Sequence, residues 1–237
     1  MKAVAIMQAR TGSSRLPGKV LLEVAGEPML AHQIRRLQRV EELDDVVVAT
    51  TVDPADDPVV AVAEAEGARW FRGSEDDVLD RYFRATEEAS AEVVLRVTAD
   101  CPLLDPEVAG LVLSTLAAQD GLLDYASNVV ERTYPAGLDA EALTAEALAQ
   151  VFRLGRSPEA REHVTWFLLR ERPDLFRIGS VTDDVDNSDL RWTVDHPRDL
   201  ELVRWLYDEL DLARKPRSYR EVVAYVREHP ELATLNT

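Results

Sequence analysis

Cations, glycines and hydroxyl side chains are concentrated directly after the first apolar segment of the chain. The candidates for ligand binding are Ala9, Arg10, Gly12, Ser13, Arg15 and Lys19. Glycine lets backbone N–H groups approach an anion, arginine can donate two parallel hydrogen bonds to phosphate oxygens, and lysine acts as a point charge. In a chain with a net charge of −17, this cluster predicts a bound phosphate group. The alternative is a solvated turn whose arginines pair with nearby carboxylates.

The order of residues in this segment matches neither of the common phosphate-binding loops. It lacks the G-x-x-x-x-G-K-[ST] pattern of P-loop NTPases and the G-x-G-x-x-G pattern of dinucleotide-binding folds. The sequence therefore favours a third kind of phosphate site.

Two aspartates, Asp100 and Asp195, each follow an apolar segment and are the candidates for binding a metal ion. Mg²⁺ is usually held by one or two carboxylates, with phosphate oxygens and water completing its shell. The competing interpretation for such aspartates is capping of a helix. That interpretation fits Asp105, which precedes a proline, better than it fits Asp195, where Pro197 would make His196 the cap.

The composition excludes several classes of protein. The chain has 237 residues, of which 46% are apolar, enough for a substantial core. Its negative charge argues against binding to nucleic acids or to anionic membranes. No apolar run is long enough to span a membrane, and the apolar stretch within Met1–Met7 is too short for a signal peptide. The single cysteine, Cys101, makes no internal disulfide, so we expect a cytoplasmic protein.

Strand and helix patterns alternate four times in the first half. We expect strands at Val4–Gln8, Asp45–Thr51, Ala68–Phe71 and Glu92–Val97, and helices around Leu30–Leu37, at Val59–Glu66 after an Asp57 cap, at Val78–Ala89, and after Asp105-Pro106. This alternation predicts a mostly parallel sheet with helices on both faces. Ligands bind such sheets beyond the carboxyl ends of the strands, where loops 9–19 and 98–104 should meet.

The second half has shorter extended segments. We expect these at Tyr125–Val129, Thr133–Gly137, Asp139–Leu143, Phe176–Val181 and Leu190–Val194, and helices at Thr144–Arg153, Ser157–Glu171, Pro197–Glu209 and Ser218–Glu228. No linker separates the halves, which predicts a single domain over residues 1–237.

Several segments, in order, resemble those of the sugar-acid cytidylyltransferase family, which includes the Kdo and acylneuraminate enzymes. They are Ala9-Arg10-x-Gly12-Ser13-x-Arg15-Leu16-Pro17-Gly18-Lys19, Gly73 to Tyr82, Arg96 to Leu103, Tyr134-Pro135-x-Gly137-Leu138-Asp139, Arg161 to Thr165, and Trp192 to Leu200. They span residues 4 to about 205, and the best match is the SpsF-type branch, named for spore-coat polysaccharide biosynthesis.

The resemblance implies a Rossmann-like, three-layer α/β/α nucleotide-diphospho-sugar transferase fold. It also implies Mg²⁺-dependent transfer of CMP from CTP to a sugar or sugar acid, with release of pyrophosphate, in surface polysaccharide or glycoconjugate biosynthesis. Residues 1–120 would form the nucleotide-binding half. Residues 121–237 would bind the sugar, complete the metal site and form a homodimer through residues 125–180.

The resemblance also assigns roles to individual residues. Catalysis would depend on Arg10, Lys19 and Asp100, and the nucleotide would contact the basic loop, Arg96 and Asp100. Acceptor binding would involve Tyr134, Gly137, Asp139, Glu162 and His163, and the metal would bind Asp100 and Asp195. The acylneuraminate enzymes carry a second acid where this chain has Thr193, so the metal site should be closer to the Kdo type.

Each of these residues has a structural alternative. Arg96 could form an ion pair, Tyr134 to Gly137 an ordinary turn, and His163 a structural contact. We interpret the Glu75-Asp76-Asp77 run as a solvated helix start, Cys101 as unreactive, and Trp192 and Trp205 as core residues. Two other functions stay open, a nucleotide-sugar-dependent glycosyltransferase and a non-catalytic nucleotide-binding protein. An Asp-x-Asp metal signature, typical of glycosyltransferases, is absent at Thr98-Ala99-Asp100.

Overall fold

A computed structural model describes residues 1–118, 122–233 and 235. Its strands are β1 (Ala3–Gln8), β2 (Glu23–Val24), β3 (Glu27–Pro28), β4 (Asp45–Thr51), β5 (Arg69–Gly73), β6 (Val93–Thr98), β7 (Tyr125–Ser127), β8 (Glu141–Thr144) and β9 (Ile178–Ser180). Its helices are α1 (Met29–Leu37), α2 (Asp57–Ala65), α3 (Val78–Ala89), α4 (Pro106–Ala117), α5 (Ala145–Leu154), α6 (Pro158–Glu162), α7 (Pro197–Glu209), α8 (Tyr219–Glu228) and α9 (Pro230–Ala233).

One sheet organises the molecule, with the strand order β5-β4-β1-β6-β8-β7-β9. The first four strands in this order are parallel, β8 runs antiparallel to both of its neighbours, and β7 and β9 are parallel. Strands β2 and β3 form a separate small hairpin. The predicted mostly parallel sheet is confirmed, and β6 lies at its centre beside β1.

Apolar side chains on the two faces of the sheet form two separate core clusters. On β1, Met7 belongs to one cluster and Ile6 to the other, as the alternation of side chains along a strand requires. The first cluster includes Ile34 of α1 and Val203 of α7, while the second includes residues of α3 and α5 such as Leu79 and Leu148. The fold therefore has three layers, and its sheet is buried on both sides.

Helix starts mostly follow the side-chain caps that the sequence indicates. Asp105 caps α4 by accepting from the backbone nitrogens of Glu107 and Val108, at 2.8 and 3.2 Å. The predicted cap at Asp57 is wrong, because Asp57 is already the first residue of α2. A short 3-10 turn at Pro54–Asp56, capped by Asp53, precedes that helix.

The segment 157–171, predicted as one helix, is broken. Helix α6 ends at Glu162, Val164 adopts a left-handed conformation with φ of 38°, and a single wide turn follows at Phe167–Glu171. A β-branched residue is strained in that conformation, so the chain changes direction at this point. The break leaves Glu162 and His163 at a corner.

The strand predicted at Leu190–Val194 is wrong, and the extended segment expected at Thr133–Gly137 forms no regular strand. The two segments share only one isolated parallel bridge, between Ala136 and Arg191. The end of the second segment turns elsewhere, because the Val194 nitrogen donates to the Asp100 carbonyl at 2.8 Å.

The two tryptophans assigned to the core differ. Trp192 is 1% exposed, as predicted, whereas Trp205 is 45% exposed and lies on the surface. Within residues 1–118 and 122–233, no helix combines the length and apolar character that crossing a membrane requires.

Candidate functional site

A cavity of about 450 Å³ opens at the carboxyl ends of β1 and β6. Its lining includes ten of the residues singled out from the sequence, namely Ala9, Arg10, Gly12, Ser13, Arg15, Lys19, Arg96, Asp100, Glu162 and His163. The basic loop after β1 and the acidic loop after β6 meet because their strands are adjacent and parallel.

The loop after β1 is held in a closed turn by its own backbone. The Thr11 carbonyl accepts hydrogen bonds from the nitrogens of Ser13 and Gly18, at 2.8 and 2.9 Å. Gly18 has φ of 66°, a conformation that glycine adopts without strain. This turn brings Lys19 back over the end of the sheet.

Asp56 anchors the same loop from the side of β4. One of its oxygens accepts from the nitrogen and the hydroxyl of Thr11, both at 2.7 Å, and the other accepts from the Thr51 hydroxyl at 2.6 Å. Burial would raise the pKa of Asp56, but the hydrogen bonds from Thr51 and Thr11 hold that pKa below its ordinary value. The anchor is therefore a charged carboxylate at neutral pH.

The Lys19 ammonium lies between the two aspartates proposed as metal ligands. Its Nζ is 2.8 Å from Asp100 Oδ2, 3.0 Å from Asp195 Oδ1 and 2.9 Å from the Val194 carbonyl oxygen. The two carboxylates thus share a single cation. That cation is a side chain of the protein.

Charge pairing shifts the pKa values at this contact. Burial would lower the pKa of Lys19, but the Asp100 and Asp195 carboxylates hold it above its ordinary value. Burial would raise the pKa of Asp100, but Lys19 holds it below its ordinary value, and the Thr98 hydroxyl adds a hydrogen bond at 2.5 Å. Both groups are therefore ionised at neutral pH.

Asp195 reaches the site through the start of α7. The Asp199 carboxylate accepts from the backbone nitrogens of Asp195 and His196, at 2.8 and 2.7 Å. His196 is the residue before the helix, so Asp195 does not cap it. The Asp195 carboxylate therefore contacts Lys19 and Arg15 of the loop after β1.

The two arginines of the loop also pair with carboxylates. Arg10 lies 3.2 Å from Glu75, and Arg15 lies 2.9 Å from Asp195. The pairing that a solvated turn would require is therefore present. Both arginines also line the cavity, so the pairing does not remove them from a ligand.

Arg96 combines an ion pair with a position in the cavity lining. It is the register partner of Glu141 on β8, and its guanidinium pairs with that carboxylate. The Tyr125 hydroxyl donates to the other Glu141 oxygen at 2.7 Å. Burial opposes the charge on Arg96, yet Glu141 keeps its pKa above the ordinary value. The structural ion pair is therefore present, and a nucleotide contact of Arg96 stays a prediction that its position in the lining allows.

Three residues assigned to the acceptor do not line this cavity. Tyr134 is buried and packs against the ring of Tyr219. Asp139 forms two hydrogen bonds with Arg132, at 2.7 and 2.9 Å. Gly137 lies against the backbone of Trp192, and a Cβ at position 137 would stand 2.8 Å from the Trp192 carbonyl carbon. Each therefore has a structural explanation in the fold.

Other residues line the cavity without having been singled out, among them Gln8 and Arg81, while Thr98 belongs to the predicted loop 98–104. Among the described residues, Gln8 Oε1 and the Nε atoms of Arg81 and Arg96 are buried without a hydrogen-bond partner. Gln8 could have been found from the sequence, as the polar residue that ends a buried strand. Arg81 could not, because an arginine inside an amphipathic helix usually faces solvent.

Cys101 and the acidic run keep the structural roles expected of them. Burial, reinforced by the Asp100 charge, raises the pKa of the Cys101 thiol well above its ordinary value, so no nucleophilic thiolate forms. Asp77 caps α3 by accepting from the Asp80 nitrogen at 2.9 Å, and Glu75 and Asp76 are exposed.

The donor set of Asp100 and Asp195 is suitable for a divalent cation that is shared with phosphate. Over the described part of the chain, no group of three or more acidic, histidine or cysteine residues forms a metal cluster. Two carboxylates match the protein contribution that Mg²⁺ takes in nucleotide sites, where phosphate oxygens and water fill the other positions. The residues therefore fit such an ion, provided that a nucleotide brings the remaining oxygens.

The comparisons with known proteins point to one family. The family described as "Cytidylyltransferase" matches residues 4–216 of the chain. The spore coat polysaccharide biosynthesis protein SpsF of Bacillus subtilis is 30% identical over 97% of this chain and 95% of its own length. The 3-deoxy-manno-octulosonate cytidylyltransferase of Anaeromyxobacter dehalogenans is 33% identical over 67% of this chain and 69% of its own.

A solved structure shows the same architecture. The cytidylyltransferase from Leptospira borgpetersenii superimposes with a TM-score of 0.93 at 29% identity, covering 98% of this chain and 97% of that one. The fold and the site thus define a nucleotidyltransferase of the Rossmann-like type. The chain belongs to the cytidylyltransferase family. Cytidylyltransferases generally use a divalent metal ion.

Proposed function

We propose that this enzyme transfers CMP from CTP to a hydroxyl group of a sugar or sugar acid, with Mg²⁺ as cofactor and release of pyrophosphate. One observation carries the proposal: Lys19 contacts both Asp100 and Asp195 at the cavity where the cationic loop ends. Nucleotidyl transfer needs cations for the triphosphate and carboxylates for a divalent ion at one place.

The triphosphate would be bound by the loop after β1. Arg10, Arg15 and Lys19 supply positive charge, and Gly12 leaves its backbone N–H accessible. Asp100 and Asp195 would hold the divalent ion, which would neutralise charge on the phosphate oxygens. Thr98 positions Asp100 through its 2.5 Å hydrogen bond.

The reaction would be a direct displacement at the α-phosphate. The acceptor hydroxyl oxygen forms a bond to phosphorus and loses its proton to water, the bond to the β-phosphate bridging oxygen breaks, and pyrophosphate leaves with that electron pair. The residues of this site act by holding the two substrates in line and by stabilising developing negative charge. No covalent intermediate on the enzyme is required.

The acceptor would enter beside Glu162 and His163, which line the cavity at the corner after α6. The names of the relatives support a sugar or sugar acid as the acceptor, and a surface polysaccharide or glycoconjugate as the molecule into which that sugar is later built. Roles for Tyr134, Gly137 and Asp139 in acceptor binding remain predictions, as does the division into a nucleotide half and a sugar half. A cytoplasmic homodimer that binds neither nucleic acid nor membrane also belongs to this proposal.

Pyrophosphate release tests the proposal. Purified protein is incubated with CTP, Mg²⁺ and a panel of sugars that includes octulosonic and nonulosonic acids, with UTP, ATP and GTP as matched alternatives. We expect pyrophosphate only with CTP, an acceptor and Mg²⁺ together. Release of a nucleoside diphosphate from a nucleotide sugar would instead identify a glycosyltransferase. CTP binding without turnover for any acceptor would favour a non-catalytic role.

A further inference from the structure

Lys19 occupies the position between the two carboxylates that a divalent ion would have to use. Its Nζ accounts for three contacts within 3.0 Å, to Asp100, Asp195 and the Val194 carbonyl. An ammonium group has three N–H donors, so the protein satisfies all of them. In this arrangement no Lys19 donor is left for a phosphate oxygen.

Arg15 completes the neutralisation of the same pair. Its guanidinium lies 2.9 Å from the Asp195 oxygen that Lys19 also contacts. Lys19 and both aspartates are largely buried, with side-chain exposures of 12%, 21% and 19%. Arg191 lies 3.8 Å from the other Asp195 oxygen. Three cations therefore surround the two carboxylates in a partly desolvated place, where an unpaired charge would be costly.

We propose that Lys19 is a built-in substitute for the divalent ion, which must move from the carboxylates to the triphosphate before the ion can bind. This inference rests on the proposed use of Mg²⁺ and CTP at this site. The triphosphate offers Lys19 and Arg15 new anionic partners, and their departure frees Asp100 and the Asp195 oxygen that both side chains contact, while Arg191 stays beside the other Asp195 oxygen. The ion and the nucleotide then bind as a unit.

The exchange is chemically balanced and needs no change of fold. The carboxylates exchange an ammonium and a guanidinium for one divalent cation, and the two side chains exchange carboxylates for phosphate oxygens. The long, flexible stem of lysine allows such a movement. An ion without nucleotide gains no such compensation, since it would displace both cations into solvent.

Binding of Mn²⁺, measured through the electron paramagnetic resonance signal of the ion, tests this exchange without relying on activity. The variants are Lys19→Met, which keeps the length of the side chain but removes its charge, and Lys215→Met as the control. Lys215 is 73% exposed and pairs with the nearby Asp211. Each protein is titrated with and without CTP.

Without CTP, we expect Lys19→Met to bind Mn²⁺ about tenfold more tightly than wild type, or better, because a cation at contact distance has been removed. Lys215→Met should match wild type, and adding Asp100→Asn to Lys19→Met should abolish the gain. CTP should increase the affinity of wild type for Mn²⁺. Equal Mn²⁺ affinities of Lys19→Met and wild type without CTP would overturn the inference.

A second measurement uses the wild-type protein and so does not depend on the variant folding. The chain contains only three lysines, Lys2, Lys19 and Lys215, so ¹³C-labelled lysine gives three resolvable ε-methylene signals. We expect the Lys19 signal to stay in place with Mg²⁺ alone and to shift when CTP is added with Mg²⁺. A full shift with Mg²⁺ alone, or no shift with Mg²⁺ and CTP that demonstrably bind, would contradict the exchange. Absence of any CTP binding would instead refute the proposed function.

Discussion

Thr11 and Asp56 are joined by two hydrogen bonds of 2.7 Å, one from the backbone nitrogen of Thr11 and one from its hydroxyl. Thr11 belongs to the loop after β1, and Asp56 to the turn after β4. The contact therefore fixes the basic loop to the neighbouring strand end. It holds the loop in shape without using any of the cations that the ligand needs.

Replacement of Asp56 by asparagine should destabilise the protein by about 1–2 kcal/mol at neutral pH, because a charged acceptor of several hydrogen bonds is lost. Its pKa is lowered in the folded protein, so this stabilisation is complete above the pKa of the unfolded chain and disappears as pH falls through the folded value. Chemical denaturation of wild type and Asp56→Asn from pH 7 to pH 3 should show a constant difference down to about pH 5, shrinking below about pH 4. A difference independent of pH would refute a charged anchor.

Replacement of Glu141 by leucine should cost about 3–5 kcal/mol, because it leaves the Arg96 guanidinium buried without its carboxylate. The Arg96 and Glu141 side chains are only 13% and 8% exposed. Urea denaturation of Glu141→Leu measures the loss. Glu87→Leu serves as the comparison, since its ion pair with Arg84 is exposed and should be worth about 1 kcal/mol or less. Equal effects of the two substitutions would refute a buried ion pair.

Gly137 and Gly67 separate a steric requirement for glycine from a conformational one. Both have positive φ, 104° and 68°. A Cβ on Gly137 would stand 2.8 Å from the Trp192 backbone, whereas one on Gly67 would meet nothing within 4 Å. We expect Gly137→Ala to cost about 3 kcal/mol and Gly67→Ala about 1 kcal/mol. Thermal unfolding of both variants tests this order, and a reversed order would show that the contact with Trp192 is wrong.

The sequence predicts the parallel half of the fold well because its signals are local. Buried strands such as β1 and β4 are continuous apolar runs, and proline after aspartate marks the start of α4. The extended segment around Tyr134 and the strand predicted around Trp192 form only a single bridge with each other, because the Val194 nitrogen bonds to the Asp100 carbonyl instead. Such long-range competition has no local signature. Periodicity likewise does not reveal the break after Glu162, where Val164 takes a strained backbone conformation.

Part of the site could be anticipated in the same way. Placing Arg10, Lys19 and Asp100 at adjacent strand ends follows from the topology of a parallel sheet alone. The contact of Lys19 with both aspartates could not be predicted, since it depends on the turn at Gly18 and on the register of residues 194–195 against the loop after β6. The burial of Arg81 and the orphaned Gln8 oxygen depend equally on packing between distant segments.

The role of Asp100 is tested most directly by the transfer rate of labelled CMP. With [α-³²P]CTP, Mg²⁺ and an accepted sugar at saturating concentrations, Asp100→Asn should lower kcat by at least about a hundredfold, because a carboxylate that shares the ion and orients the transferred group is lost. The asparagine keeps the side-chain shape, so the melting temperature should stay within a few degrees of wild type. Near-normal kcat in a folded Asp100→Asn protein would contradict the account of the site.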